Sequence, residues 1–379
     1  MKWINFLHIY QPPTQTPEIV KQVTEESYQK IAELLERYPK LKITLNITGS
    51  LIELWAKHGF TDIIERYRKL MVAGKIELIG SAMYHPILPL LSKREIIRQV
   101  TLHDEVCQKY FGESYKPQGF FLPEMAYGKK VGRILKDLGF KWLILDEIHF
   151  PNRQPDYSTK YIIESSGLMA VFRDRKISKM FPPEFIMTEP GLLQRSYIVT
   201  AHDGELYGHW HKDDKGFYEK AFTSPDVEFE TVSEYLASLQ KSETIEAVEA
   251  SWESEEDELH QNVAYGLWAN PQNKIQMKLE QFKRRALALV EKYQADAHYA
   301  KARLHLDRGL ASCAWWWASA RQLTPVSPTS WNPTEIERGL KELLLALRTL
   351  ESVPVAEKIK TEKMAADLTK LIWISHWSK

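Results

Sequence analysis

Two short stretches of the chain hold carboxylates at places where chemistry could use them. In Gly119-Phe-Phe-Leu-Pro-Glu-Met-Ala-Tyr127, Glu124 follows an apolar run, and Pro123 ahead of it fixes a non-helical presentation. In Ala201-His-Asp-Gly-Glu-Leu-Tyr-Gly-His-Trp210, Asp203 ends a second such run. Gly204 and Gly208 let the backbone turn tightly there, while Glu205, His209 and Trp210 add hydrogen-bonding groups and a ring face. Cleavage of a glycosidic bond needs two carboxyl groups that flank it. One attacks or stabilises the anomeric carbon and the other protonates the departing oxygen. Two carboxylates brought close also push their pKa values apart, which makes one of them the acid. A single Glu at a strand end pairs with a Lys or Arg about as often as it reacts, so the weight falls on the pair.

Three further segments carry polar groups at comparable places: His8-Ile-Tyr-Gln-Pro12, Tyr84-His85-Pro86, and Phe172-Arg-Asp-Arg-Lys-Ile-Ser178. What must position them is an alternation of short apolar runs with amphipathic stretches. Strands are expected at Trp3–His8, Lys42–Thr48, Ile76–Gly80, Gly119–Leu122, Lys141–Asp146, Met169–Arg173 and Ser196–His202. Helical periods separate them, as in Tyr28, Ile31, Leu35, Tyr38 and in Ile96, Ile97, Val100, Val106. Strands of continuous apolar character between helices predict a parallel sheet covered on both faces. Seven such strands in succession favour a barrel, and no Gly-rich phosphate loop follows the first one. His8, Glu124, Asp146 with Glu147, Arg173 and Asp203 all fall at the carboxyl ends of strands, and His85 lies in the loop after the third. That is the rim where α/β barrels assemble their sites.

The remainder reads as helical. The boundary is placed at residue 270, giving a barrel over 1–270 and a C-terminal helical domain over 271–379. One long helix is expected over Ile275–Ala302, an apolar segment over His305–Arg321 with Trp315, Trp316 and Trp317, and an amphipathic helix over Thr334–Leu350. The last of these should bury Ile336, Leu340, Leu343, Leu344 and Leu347, with Asn332-Pro333 as its cap and break. The acidic run Glu253–Glu258 is expected to be a solvated loop or helix start.

Composition narrows the partners. Lys+Arg and Asp+Glu are both 50, so no net field favours nucleic acid or an anionic membrane. Two cysteines, far apart and in no metal-ligand spacing, exclude a disulfide framework and fit a reducing compartment. The N-terminal apolar run is too short, and too soon broken by His8 and Gln11, for a signal peptide, and no stretch reaches membrane-span length. A cytoplasmic protein is expected. Twelve Trp, 17 Tyr and 14 Phe make the chain aromatic-rich. That fits sugar rings, whose apolar faces stack on aromatic ones, although each ring singly is as readily explained by core packing.

Taken in order, these segments resemble glycoside hydrolase family 57. The family's first region, usually His-x-His-Gln-Pro, is matched by His8-Ile9-Tyr10-Gln11-Pro12, with Tyr10 in place of the second His. The region of the family's nucleophilic Glu is matched by Phe121-Leu122-Pro123-Glu124. The acid/base pattern Asp-x-Glu-x-x-Gly is matched by Asp203-Gly204-Glu205-Leu206-Tyr207-Gly208. Tyr84-His85-Pro86 is similar to a variant of the second region with His in place of Glu, and Trp315–Trp317 to the late aromatic region. The resemblance implies an incomplete TIM-like (β/α)7 barrel followed by helices. It also implies a retaining double displacement on α-glucans, with Glu124 as nucleophile and Asp203 as acid/base, without metal or cofactor. His8, Gln11, His85, Glu205, His209, Trp210 and Trp316 are then expected to contact sugar.

Two other readings of the same residues are weighed. One is a zinc hydrolase of the deacetylase or α-mannosidase kind, in which His8, His85, Asp203 and His209 supply mixed ligands. The other is a degenerate barrel that binds glycans without turnover.

Overall fold

The computed structural model describes residues 1–151, 154–321 and 329–378. They form two compact units. The first comprises Met1–Gln11, Gln15–Met83 and Leu88–Trp252, and the second Pro12–Thr14, Tyr84–Ile87 and Glu253–Lys379.

Ten strands belong to the first unit: β1 (Lys2–Ile9), β2 (Ile43–Ile47), β3 (Ile76–Leu78), β4 (Gly119–Phe120), β5 (Trp142–Asp146), β6 (Thr159–Ile163), β7 (Met169–Arg173), β8 (Tyr197–Asp203), β9 (Glu228–Glu230) and β10 (Lys241–Ile245). One sheet runs β3-β2-β1-β8 and the other β10-β6-β7-β5-β4. A parallel bridge between Gly80 and Phe120 joins β3 to β4, with Phe121 N–H donating to Gly80 O at 2.9 Å. On the far side Asp174 N–H donates to Val199 O at 2.8 Å and joins β7 to β8. The result is a ring of seven parallel strands, β1-β2-β3-β4-β5-β7-β8, at the places the sequence predicts. Strands β6, β9 and β10 lie off this ring; β6 runs antiparallel to β7. They lack the continuous apolar character of the ring strands, as Lys241-Ser-Glu-Thr-Ile245 and Glu228-Phe-Glu230 show, which is why they escape a reading based on apolar runs.

The period of two along each strand divides the core into an inner and an outer layer. On β1, Ile4 and Phe6 join Ile144, Val171, Val199 and Ala201 in the inner cluster, while Trp3, Leu7 and Ile9 join the outer one under the helices. The same parity carries inward His8 on β1, Asn46 on β2, Asp146 on β5, Arg173 on β7 and Asp203 on β8. Apolar layers thus fill the barrel, and polar residues form the last layer at its carboxyl end.

The second unit is helical. Helix Pro333–Thr349 packs against Lys274–Lys292, Tyr299–Gly309, Cys313–Ala318 and Val355–Trp377. It buries Ile336, Leu340, Leu343, Leu344 and Leu347, the face read from the sequence, and Asn332 Oδ1 caps it by accepting Glu335 N–H at 3.2 Å. The sequence reading started the helical domain at residue 271, whereas this unit takes in Glu253–Lys379. The acidic run becomes a short helix, Glu256–His260, with Glu255, Glu256 and Asp257 exposed. One expectation is corrected. Ile275–Ala302 is not a single helix but parts of two, Lys274–Lys292 and Tyr299–Gly309. Asp296 lies in the break, where its carboxylate accepts His298 N–H at 2.8 Å and Ser352 N–H at 2.7 Å. Those bonds give the backbone an alternative to continuing the helix. Among the described residues no helix is long and apolar enough to cross a membrane, and both cysteines are free.

Candidate active site

Glu124 sits just past β4 in a backbone that few side chains tolerate. Its φ is +60°, and Met125 follows at +47°. Left-handed residues other than glycine cost of order 1–3 kcal/mol each and persist only when their surroundings fix them. Here they are fixed several times over. Met125 N–H donates to Leu122 O at 2.7 Å, and Trp252 N–H to Glu124 O at 3.1 Å. The buried His149 ring accepts Asp146 N–H at Nδ1, 3.1 Å, and donates from Nε2 to Met125 O at 2.9 Å. The carboxylate itself accepts the indole N–H of Trp252 at Oε2, 2.8 Å.

Asp203 closes β8 on the opposite side of the ring. In the parallel register it stands beside His8 of β1, which in turn stands beside Asn46 of β2. The His8 ring stacks on Phe121 at 4.4 Å and meets the edge of Trp252 at 6.3 Å. Aromatic contacts therefore cross the lumen from the strand beside Asp203 to the indole that holds Glu124. One barrel mouth contains both carboxylates. Burial lowers the His8 pKa to about 3, so the ring is neutral at working pH. Its Nδ1–H donates to Asn46 Oδ1 at 2.7 Å, which leaves the lone pair on Nε2. Asn46 Nδ2 is a buried donor with no protein partner, suited to a hydroxyl of a ligand.

The segment after Asp203 is gripped by a π-helical turn, Thr24–Tyr28. Ser27 donates to Gly204 O at 2.8 Å, Tyr28 donates to Glu205 Oε1 at 2.5 Å, and His209 Nδ1 meets Glu26 Oε2 at 2.5 Å. Gly208 has φ +108°, and a Cβ there would stand 2.1 Å from Glu26 O, so only glycine allows the approach. Gln11 Nε2 donates to Tyr28 Oη at 3.0 Å and reaches Glu205 Oε1 at 3.4 Å. Burial, and then the negative charge of Asp203, lifts the Glu205 pKa to about 8.

That shift has a measurable consequence. A carboxyl with a raised folded-state pKa favours folding fully below its unfolded pKa of about 4.5 and loses this advantage as pH rises to about 8. Glu205→Gln, which cannot ionise, should match the parent's melting temperature near pH 4 and exceed it by several degrees above pH 8. Thermal melts of both proteins across that range check this, and parallel curves would contradict it.

Of the nine residues singled out from the sequence, five line this mouth or its immediate wall: His8, Gln11, Glu124, Asp203 and Glu205. His209 turns to Glu26, and Trp210 beside it is 61% exposed. His85 and Trp316 belong to the second unit, where Ser312 gathers them. His85 has φ +58° and its Nδ1 is 3.1 Å from Ser312 Oγ; Trp316 N–H donates to Ser312 O at 3.1 Å. Sequence reasoning missed Trp252, Tyr28 and Asn46 as parts of the site. Asn46 was open to discovery, since it lies next to the end of β2 on the same parity as His8 on β1. Among the described residues no three His, Cys, Asp or Glu side chains gather as metal ligands do, so the zinc reading finds no ligand set there.

Residues 6–251 match the sequence profile of glycosyl hydrolase family 57. The chain belongs to this family. An α-amylase of Pyrococcus horikoshii is 25% identical over 264 residues, covering 63% of this chain and 41% of the relative. A 4-α-glucanotransferase of Thermococcus litoralis is 25% identical over 261 residues, covering 62% of this chain and 39% of the relative. The matches thus span about two fifths of those longer family 57 members. The crystal structure of the Thermococcus litoralis 4-α-glucanotransferase superposes with a TM-score of 0.70 at 18% identity, over 92% of this chain and 60% of that one. That of a family 57 branching enzyme from Pyrococcus horikoshii gives 0.69 at 16% identity, over 96% and 94%. At these identities the structures establish a shared family 57 fold.

Proposed function

We propose that the protein is a retaining glycoside hydrolase or glucanotransferase that acts on α-glucans. The observation that carries this reading is the pair of carboxylates in one barrel mouth with unlike surroundings. Glu124 accepts the Trp252 indole N–H on a strained turn, and Asp203 stands beside a second, high-pKa carboxyl, Glu205. In the proposed double displacement Glu124 attacks the anomeric carbon from the face opposite the leaving group, and Asp203 protonates the departing oxygen. Asp203 then takes a proton from water, giving hydrolysis, or from a sugar hydroxyl, giving transfer. His8 Nε2, Asn46 Nδ2, Gln11 and Glu205 supply acceptors and donors for sugar hydroxyls. His85, His209, Trp210 and Trp316 are proposed as further sugar contacts. The names of the family relatives, α-amylases and 4-α-glucanotransferases, support the substrate class. Free cysteines at positions 107 and 313 support a cytoplasmic setting.

The test is product analysis with maltoheptaose and with amylose. Shorter chains alone are expected from a hydrolase, and longer chains alongside shorter ones from a transferase. Intact substrate in both incubations contradicts the α-glucan assignment.

A further inference from the structure

We propose that Arg173 and Trp252 form a relay that positions Glu124 and keeps its carboxyl ionised, the indole N–H serving as a cation-reinforced donor. The proposal rests on the reading of Glu124 as nucleophile and goes beyond it by assigning how that group is held.

The chain of contacts starts at Asp146, buried at the end of β5. Burial opposes its charge, yet the guanidinium groups of Arg173 and Arg175 overcome that and hold its pKa below the usual carboxylate value. Arg173 Nε lies 2.5 Å from Asp146 Oδ2, and Arg175 Nη1 lies 2.7 Å from Oδ1. Arg173 Nη1 also donates to Ala201 O at 2.7 Å. These bonds fix the Arg173 plane, and it stands over the Trp252 ring at 4.9 Å. A guanidinium above an indole face draws electron density from the ring and makes its N–H a stronger donor. That N–H points at Glu124 Oε2.

The indole cannot swing away. Its own backbone N–H is bonded to Glu124 O, and its ring meets Phe121 at 5.8 Å as well as His8. Trp252 and Arg173 are only 6% and 3% exposed, so little water competes for these contacts. An ordinary core Trp would need any one of these partners. An N–H aimed at a carboxylate, backed by a buried and doubly anchored arginine, does more. It stabilises the ionised nucleophile and sets the direction of attack, since hydrogen bonds to the charged form favour that form.

Trp252→Phe keeps a ring for Arg173 and the lining while deleting the N–H. With maltoheptaose as substrate, kcat is expected to fall about 10- to 100-fold, the range for a hydrogen bond to a charged group, with KM little changed. The acidic limb of the kcat/KM profile should move up by about one pH unit. Arg173→Lys, which keeps the charge beside Asp146 but loses the planar stack, should move both readouts the same way by a smaller amount. It gives a second reading should the Phe variant misfold. Glu124→Gln is assayed in parallel. If it is inactive while both relay variants keep parental kcat and acidic limb, the relay is overturned and the nucleophile reading stands. A rise in KM with unchanged kcat also overturns it, by reducing Trp252 to a wall of the substrate site. Should Glu124→Gln keep full turnover, the nucleophile reading fails and the relay falls with it.

Discussion

Glu124→Gly is expected to lose turnover of maltoheptaose by at least about 10⁴-fold, the scale on which removal of a covalent nucleophile acts. Azide then becomes diagnostic. A small anion can occupy the space of the missing carboxylate and attack an activated α-glucosyl donor from the same face. With Glu124 gone there is no second displacement, so the product is the β-glucosyl azide. Chromatography with NMR of the anomeric proton reads this out. Activity that survives the substitution, or azide that restores nothing from a donor needing no acid assistance, contradicts the assignment of Glu124. Folding offers no easy escape. A residue at φ +60° is strained, and the strain that glycine relieves offsets the lost bond to the Trp252 indole, so the variant should melt close to the parent.

Asp203→Asn should behave differently, and the difference separates the two carboxylates. Cleavage of maltoheptaose needs the departing sugar oxygen protonated, and its loss is expected to cost about 10²- to 10⁴-fold. An α-glucosyl fluoride needs no such proton and should still form the covalent intermediate, giving a burst followed by slow release. Azide added to this variant attacks that intermediate from the other face and yields the α-glucosyl azide. Opposite anomers from the two variants are the expected pattern. Equal losses on natural and activated donors at Asp203 would assign it a structural role at the end of β8 instead.

Much of this geometry was legible in the residues, and the reasons are physical. The seven ring strands are continuous apolar runs because the barrel covers both their faces. Their carboxyl ends are marked by His8, Glu124, Asp146, Arg173 and Asp203, where apolar parity gives way to charge. Gly208 announced a tight turn, and the π-helical turn beneath it shows why no side chain fits there. What stayed hidden is what sequence distance hides. Trp252 is 128 residues from Glu124 and follows β10, an off-ring strand with no apolar run to flag it. Tyr28 reads as one more apolar position on a helical stripe, and only its hydroxyl, reaching Glu205, distinguishes it from Ile31 and Leu35. The break at Asp296 was invisible because Ala, Lys and Gln around it are good helix formers, and a distant N–H from Ser352 decides the matter.

The central claim is a covalent glucosyl intermediate on Glu124, and trapping it is the most direct test. A ring-fluorinated α-glucosyl fluoride slows both displacements but leaves the second slower, so the intermediate accumulates. Peptide mass spectrometry after brief incubation is expected to find one fluoroglucosyl unit on the peptide that carries Glu124. Label on the peptide carrying Asp203 and Glu205, or no label while the first-formed product is the inverted anomer, would contradict the account.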